Sequence, residues 1–198
     1  STHCISSAAS DVYKRQGLWS VLRSSEDEVL KGSLLITLYE NLRWKTISPQ
    51  GFREEMLAYL PNESNSLLFS MALSYLGDCQ RIFPSDSCPL EEALWKIVTT
   101  NPVSQHRLQA FRLYRSIADS EEAVQRLYTL WQERKAPKDC TLSESDYIGL
   151  SYMLAMHLPE KADKIIATQL SRIQNPDRKK EYQSVSYTHL TLPTICSV

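Results

Sequence analysis

The sequence predicts an all-α fold, and three observations carry that reading. Apolar residues recur at three- and four-residue spacing nearly throughout the chain. Capping residues and prolines punctuate that pattern: Pro49, Pro61, Pro84, Pro89, Pro159 and Pro176 fall at apparent helix ends. No segment shows the strict alternation of a half-buried strand. Short connections between amphipathic helices favour antiparallel neighbours, and the helix pairs recur without a strict residue repeat. An irregular, HEAT-like stack of antiparallel helical hairpins, an α-superhelix, fits best, with a compact bundle as the alternative.

Each element has its own signal. Ser25, followed by Glu26, Asp27 and Glu28, suits a helix start, because acids favour the positive end of the dipole. Val29, Leu30, Leu34, Leu38 and Leu42 carry that helix to about Trp44. Ser48-Pro49 starts the next, with Phe52, Met56, Leu57 and Leu60 before Pro61 closes it. Asn62 or Ser64 caps a third, through Leu67, Leu68, Met71, Leu73 and Leu76 to Phe83-Pro84. Cys88-Pro89 begins a helix with Leu90, Leu94 and Ile97, and Ser104 opens one with Leu108, Phe111, Tyr114 and Ile117. Ser120 and its following glutamates open Val124, Leu127, Tyr128 and Trp131; "RKAPKDC" is then a loop. Ser143 to Asp146 cap the helix of Tyr147, Leu150, Met153 and Leu154. Pro159-Glu160 starts the helix through Ile165, Leu170 and Ile173, and Asn175-Pro176-Asp177 caps another.

The two ends read differently from the middle. Back-translating residues 1–16 with one permitted codon set and taking the reverse complement gives VSYTHLTLPTICSV followed by a stop, the residues from Val185 to Val198. That DNA resembles a transposon-based sequencing adaptor. Residues 1–16 and 184–198 are therefore expected to be adaptor-derived and set apart from fold and function. Residues 17–183 are expected to be an internal fragment of a longer protein.

Setting aside Asp11, Lys14 and Arg15 from the 22 basic and 23 acidic residues leaves a net charge of −2. That balance gives no electrostatic footprint for nucleic acid or an anionic membrane. No apolar run approaches the roughly 20 residues needed to span a bilayer. Cys79, Cys88 and Cys140 remain, an odd set without C-x-x-C spacing, which reads as buried or idle thiols.

Chemistry-bearing motifs are sparse. His106 and His157 fall on different helices without the H-E-x-x-H spacing of a zinc site, and read as partly exposed helix histidines. No G-x-S-x-G elbow or phosphate-cradling glycine loop occurs, and capping explains most serines. No catalytic, cofactor-binding or metal-ligating residue is assigned. Three clusters stand out, the first two with two readings each and the third better explained by core packing than by ligand stacking. Tyr39, Glu40, Asn41, Arg43 and Trp44 form either a polar chamber wall or a helix end where Glu40 pairs locally and Trp44 packs. Arg172, Arg178, Lys179 and Lys180 form either an anion or peptide-carboxylate site or a solvated surface. Tyr128 and Trp131 share one face and read as core.

Two stretches add a resemblance. "GSLLITLYENLRWKTISPQGFREEML" and the pattern from Gln125 to Arg178, ending in "RIQNPDR", resemble the C-terminal helical domain of aminopeptidase-N-like zinc metallopeptidases, particularly bacterial ones. The resemblance covers most of residues 17–183 and rests on helical sequence rather than on catalytic motifs. It implies a parent hydrolase in which a preceding thermolysin-like domain holds zinc through a histidine pair and a glutamate. A G-x-M-E-N loop there anchors the substrate amine. None of those motifs occurs here. The implied role is therefore supporting: a non-catalytic domain that closes over the missing catalytic domain of the same chain and encloses peptide substrates. A helical-repeat scaffold that binds a protein partner is the alternative.

Overall fold

The computed structural model describes residues 17–190. Every regular element among them is helical: α1 (17–24), α2 (Glu28–Arg43), α3 (Pro49–Tyr59), α4 (Ser66–Ile82), α5 (Cys88–Thr100), α6 (Ser104–Ile117), α7 (Glu121–Glu133), α8 (Glu144–His157), α9 (Ala162–Arg172) and α10 (Pro176–Leu190). The expected adaptor-derived residues 1–16 lie outside the described residues, as do 191–198. Helix α10 runs on through the expected boundary near residue 184.

Local chemistry fixes the starts. Ser48, Ser120 and Ser143 cap α3, α7 and α8 as expected, and Ser143 and Asp146 form a reciprocal capping box. Other starts differ. The α2 cap is Asp27, whose carboxylate accepts from Val29 and Leu30 N–H, while Ser25 Oγ accepts from Asp27 N–H. The α4 cap is Asn65 rather than Asn62 or Ser64. Leu60–Asn62 and Pro159–Lys161 are 3-10 turns, so Pro159 leads into α9 instead of starting it. Around the starts of α2 and α4 several residues able to cap lie close together, so the sequence pattern alone does not choose among them.

The chain divides into two compact units, residues 1–113 and 114–198. In the first, α1 and α3 run parallel: Trp19 meets Phe52, and Arg23 pairs with Glu55. Helices α2 and α4 also run parallel, since Lys31 reaches Glu63 while Tyr39 stacks on Tyr75 at 4.1 Å and bonds Asp78. Helix α3 opposes α4, because Arg53 near its start donates to Phe83 O just past the end of α4. The first turns of α6 follow α4 in the same sense, from Ser66–His106 to Gly77–Leu113. In these pairs alternate helices are parallel, and the neighbours α3 and α4 are antiparallel, as stacked hairpins require. Leu38, Leu42, Phe52, Met56, Phe69 and Phe111 are fully buried between the layers.

The second unit repeats the logic. Helix α10 lies along α8, with Arg178 4.0 Å from Glu144 and the Tyr182 hydroxyl 2.8 Å from Ser151 Oγ. Burial pushes the Tyr182 phenol up to about 12. Trp131 Nε1 donates to Gln169 Oε1 at 2.8 Å, tying α7 to α9. Gly149 lets α8 approach the last turn of α6: a Cβ there would sit 2.7 Å from Arg115 Nη1, which donates to Asp146 O. No helix among the described residues is long and apolar enough to cross a membrane.

Candidate functional site

A polar constellation forms where α4 begins. The Asn65 carboxamide accepts from Leu67 and Leu68 N–H, which starts the helix at Ser66 and aims that residue at α6. Ser66 Oγ lies 3.0 Å from His106 Nε2. The imidazole stacks on Phe69 with ring centres 4.0 Å apart and planes 5° from parallel. It is fully buried, which corrects the expectation of a partly exposed histidine; the partners that bury it arrive from another helix. Beside it, the buried Glu63 carboxylate accepts from the Tyr59 hydroxyl, from Lys31 Nζ at 2.9 Å and from Asn65 N–H at 2.7 Å. Burial would raise the Glu63 carboxyl, but those hydrogen bonds outweigh it and hold the group below the ordinary glutamate range. Burial lowers His106, against the opposing field of Glu63.

A serine hydroxyl on an imidazole is the geometry of an activated nucleophile, a pairing that linear spacing does not reveal. Activation needs His106 to accept at Nε2 and to carry its proton on Nδ1, where a third group orients it. His106 Nδ1 is buried with no hydrogen-bond partner. The accepting tautomer would orphan an N–H donor; the other leaves only an unmatched lone pair, and orphaned buried N–H groups are the rarer and costlier of the two. His106 therefore donates to Ser66, and the pair fastens two helices.

A cleft of about 270 Å³ opens beside α3 and the start of α5, lined by Gln50, Arg53, Glu54, Leu57, Asp86 and Leu90 among others. It is just below the ~300 Å³ at which small-molecule sites begin. Several of its polar groups serve its own walls. Arg53 donates to Phe83 O at 3.1 Å, Gln50 to Glu54 at 2.9 Å, and Asp86 accepts from Cys88 N–H at 3.0 Å. The three cysteines among the described residues are free thiols, Cys79 buried, Cys88 exposed and Cys140 between. Burial raises Cys79, partly offset by Arg53, and the Asp86 side chain raises Cys88, so neither is poised as a thiolate.

The three sequence clusters resolve in part. Glu40 does pair locally, with Arg43 at 3.7 Å, but Trp44 is 77% exposed and does not pack at the helix end. The turn after α2 explains this: Lys45 adopts a left-handed conformation (φ 56°) and Thr46 N–H bonds back to Asn41 O, which turns the chain just after the indole. Trp131 is core, whereas Tyr128 is half-buried under Lys161, whose Nζ lies 5.0 Å from its ring centre. Arg172 is not a solvated surface residue. It donates to Trp131 O at 2.9 Å and to Gln132 O at 3.1 Å, the last-turn carbonyls of α7, and lies 4.8 Å from the Trp131 ring centre. Arg178, Lys179 and Lys180 are exposed on α10. His157 Nδ1 lies 3.8 Å from Asp119.

Among the described residues, no group of three or more His, Cys, Asp or Glu side chains is placed to hold a metal ion. Neither family models, nor curated proteins, nor solved structures match the chain.

Proposed function

We propose that residues 17–183 belong to the C-terminal helical domain of an aminopeptidase-N-like zinc metallopeptidase, where they help enclose the peptide chamber while catalysis resides on a zinc domain outside this chain. The observation that carries the reading is how the resembling stretch from Gln125 to Arg178 uses its polar residues. Trp131 bonds Gln169, Arg172 covers the end of α7, Ser143 and Asp146 cap α8, and Tyr147 OH donates to Arg134 O at 3.1 Å. Asn175 accepts from Asp177 and Arg178 N–H at the start of α10. A pattern spent on holding helices together suits a wall rather than a reactive centre. The test is to purify residues 17–183 and assay an aminoacyl chromogenic substrate with zinc present. No turnover is expected; turnover abolished by a chelator and restored by zinc would place the chemistry here and defeat the reading. Extending the reading frame upstream provides a second test, which expects an H-E-x-x-H motif and a downstream glutamate.

A scaffold that binds a protein partner is the second reading, favoured by Val29 and Leu67, which point outward from α2 and α4 at 80% and 76% exposure. Continuing helical hairpins upstream, without a zinc motif, would favour it.

A further inference from the structure

Helices α4 and α6 are fastened in the first unit by a group whose charge state can change near neutral pH. His106 is fully buried, one face lies flat against Phe69, Nε2 meets Ser66 and Nδ1 meets no acceptor. A second proton would place an N–H⁺ at Nδ1 inside that packing with nothing to receive it. We infer that the α4–α6 contact is an acid-sensed latch, in which proton uptake at His106 releases the first turns of α6 from α4. Ser66 is only half-buried, so the Nε2 end of the latch lies close to solvent, whereas Nδ1, which would take the second proton, is enclosed and becomes accessible only when the contact opens.

The surrounding charges set the window. Glu63, ahead of α4, is the charged group whose field acts on the ring, and it favours protonation. Its own charge is already engaged by Lys31 from α2 and by the Tyr59 hydroxyl from α3, and burial prevails. A histidine held below its ordinary value binds its proton only when the latch opens. The closed form is therefore at full stability above about pH 6.5 and loses it as pH falls. Glu63 acts in a separate, more acidic window, because its lowered carboxyl releases stability only below the ordinary glutamate range.

Amide exchange on the full chain at pH 7.5 and 5.5, corrected for intrinsic rates, tests the latch. Residues 104–113 are expected to exchange about tenfold faster at the lower pH, the factor by which an open-state histidine of pKa near 6.5 binds its proton at pH 5.5. Amides of α8 and α9 should not follow. His106→Gln, which keeps a donor for Ser66 but cannot titrate, should abolish the acid effect. Should that variant not fold, imidazole ¹⁵N shifts of the unaltered chain decide, with the closed-form His106 ring expected to stay neutral further into acid than an ordinary histidine. A His106 titration near 6.5, exchange that is insensitive to pH, acid loss of protection spread evenly over both units, or an acid effect that persists in His106→Gln would each overturn the inference.

Discussion

Lys31 and Glu63 show how much a single residue can carry here. Their side chains are 16% and 1% exposed, and the pair closes a network with Tyr59 and the start of α4. Removing one partner of such a pair leaves a buried charge uncompensated. Lys31→Met is expected to destabilise the first unit by about 2–4 kcal/mol in urea unfolding. Lys31→Met combined with Glu63→Gln should recover part of that loss, because the stranded charge is then gone. The opposite sign is expected at Lys45. This lysine occupies the left-handed position that ends α2, where Lys45 N–H bonds Leu42 O and Thr46 N–H bonds Asn41 O. Glycine has no Cβ to strain there, so Lys45→Gly should raise stability by about 0.5–1 kcal/mol, read as a higher melting temperature.

At the scale of an element, the end of α7 is held by a residue of α9. Arg172 covers two terminal carbonyls and the Trp131 ring at once; its guanidinium is lowered by burial and then by Arg134 nearby. Arg172→Gln should cost about 1–2 kcal/mol and shift tryptophan emission to the red as the indole gains water. How helices end and begin was only partly legible in the chain. Ser48, Ser120 and Ser143 cap where the apolar pattern begins, so pattern and cap agree and the starts could be read. Near α2 and α4, Ser25, Asp27, Asn62, Ser64 and Asn65 are all able to cap, and the spacing alone does not single out Asp27 and Asn65, which do. The Ser66–His106–Phe69 cluster could not be read, because His106 comes from another helix, 40 residues beyond Ser66. Arg172 looked solvated for the same reason: its acceptors lie 40 and 41 residues earlier. Amphipathic spacing reports that a face is buried, not what it is buried against.

At the scale of the whole molecule, large apolar side chains point outward: Val29 at 80%, Leu67 at 76%, Trp44 at 77% and Met156 at 72%. Such side chains favour association when another surface can cover them. Light scattering is expected to show apparent mass rising with concentration for residues 17–183, and Val29→Lys with Leu67→Lys should suppress that rise. A constant monomer mass over the same range would count against an uncovered docking face.

The alternation of parallel helices has a mechanical consequence. Cross-helix bonds such as Lys31–Glu63, Tyr39–Asp78, Ser66–His106 and Trp131–Gln169 span only 32, 39, 40 and 38 residues. Load applied to the termini is thus borne by a series of short ties, each able to fail without the rest. Drawn out in an optical trap, the chain should lengthen in several small steps instead of one large rip, and rewind quickly when slackened.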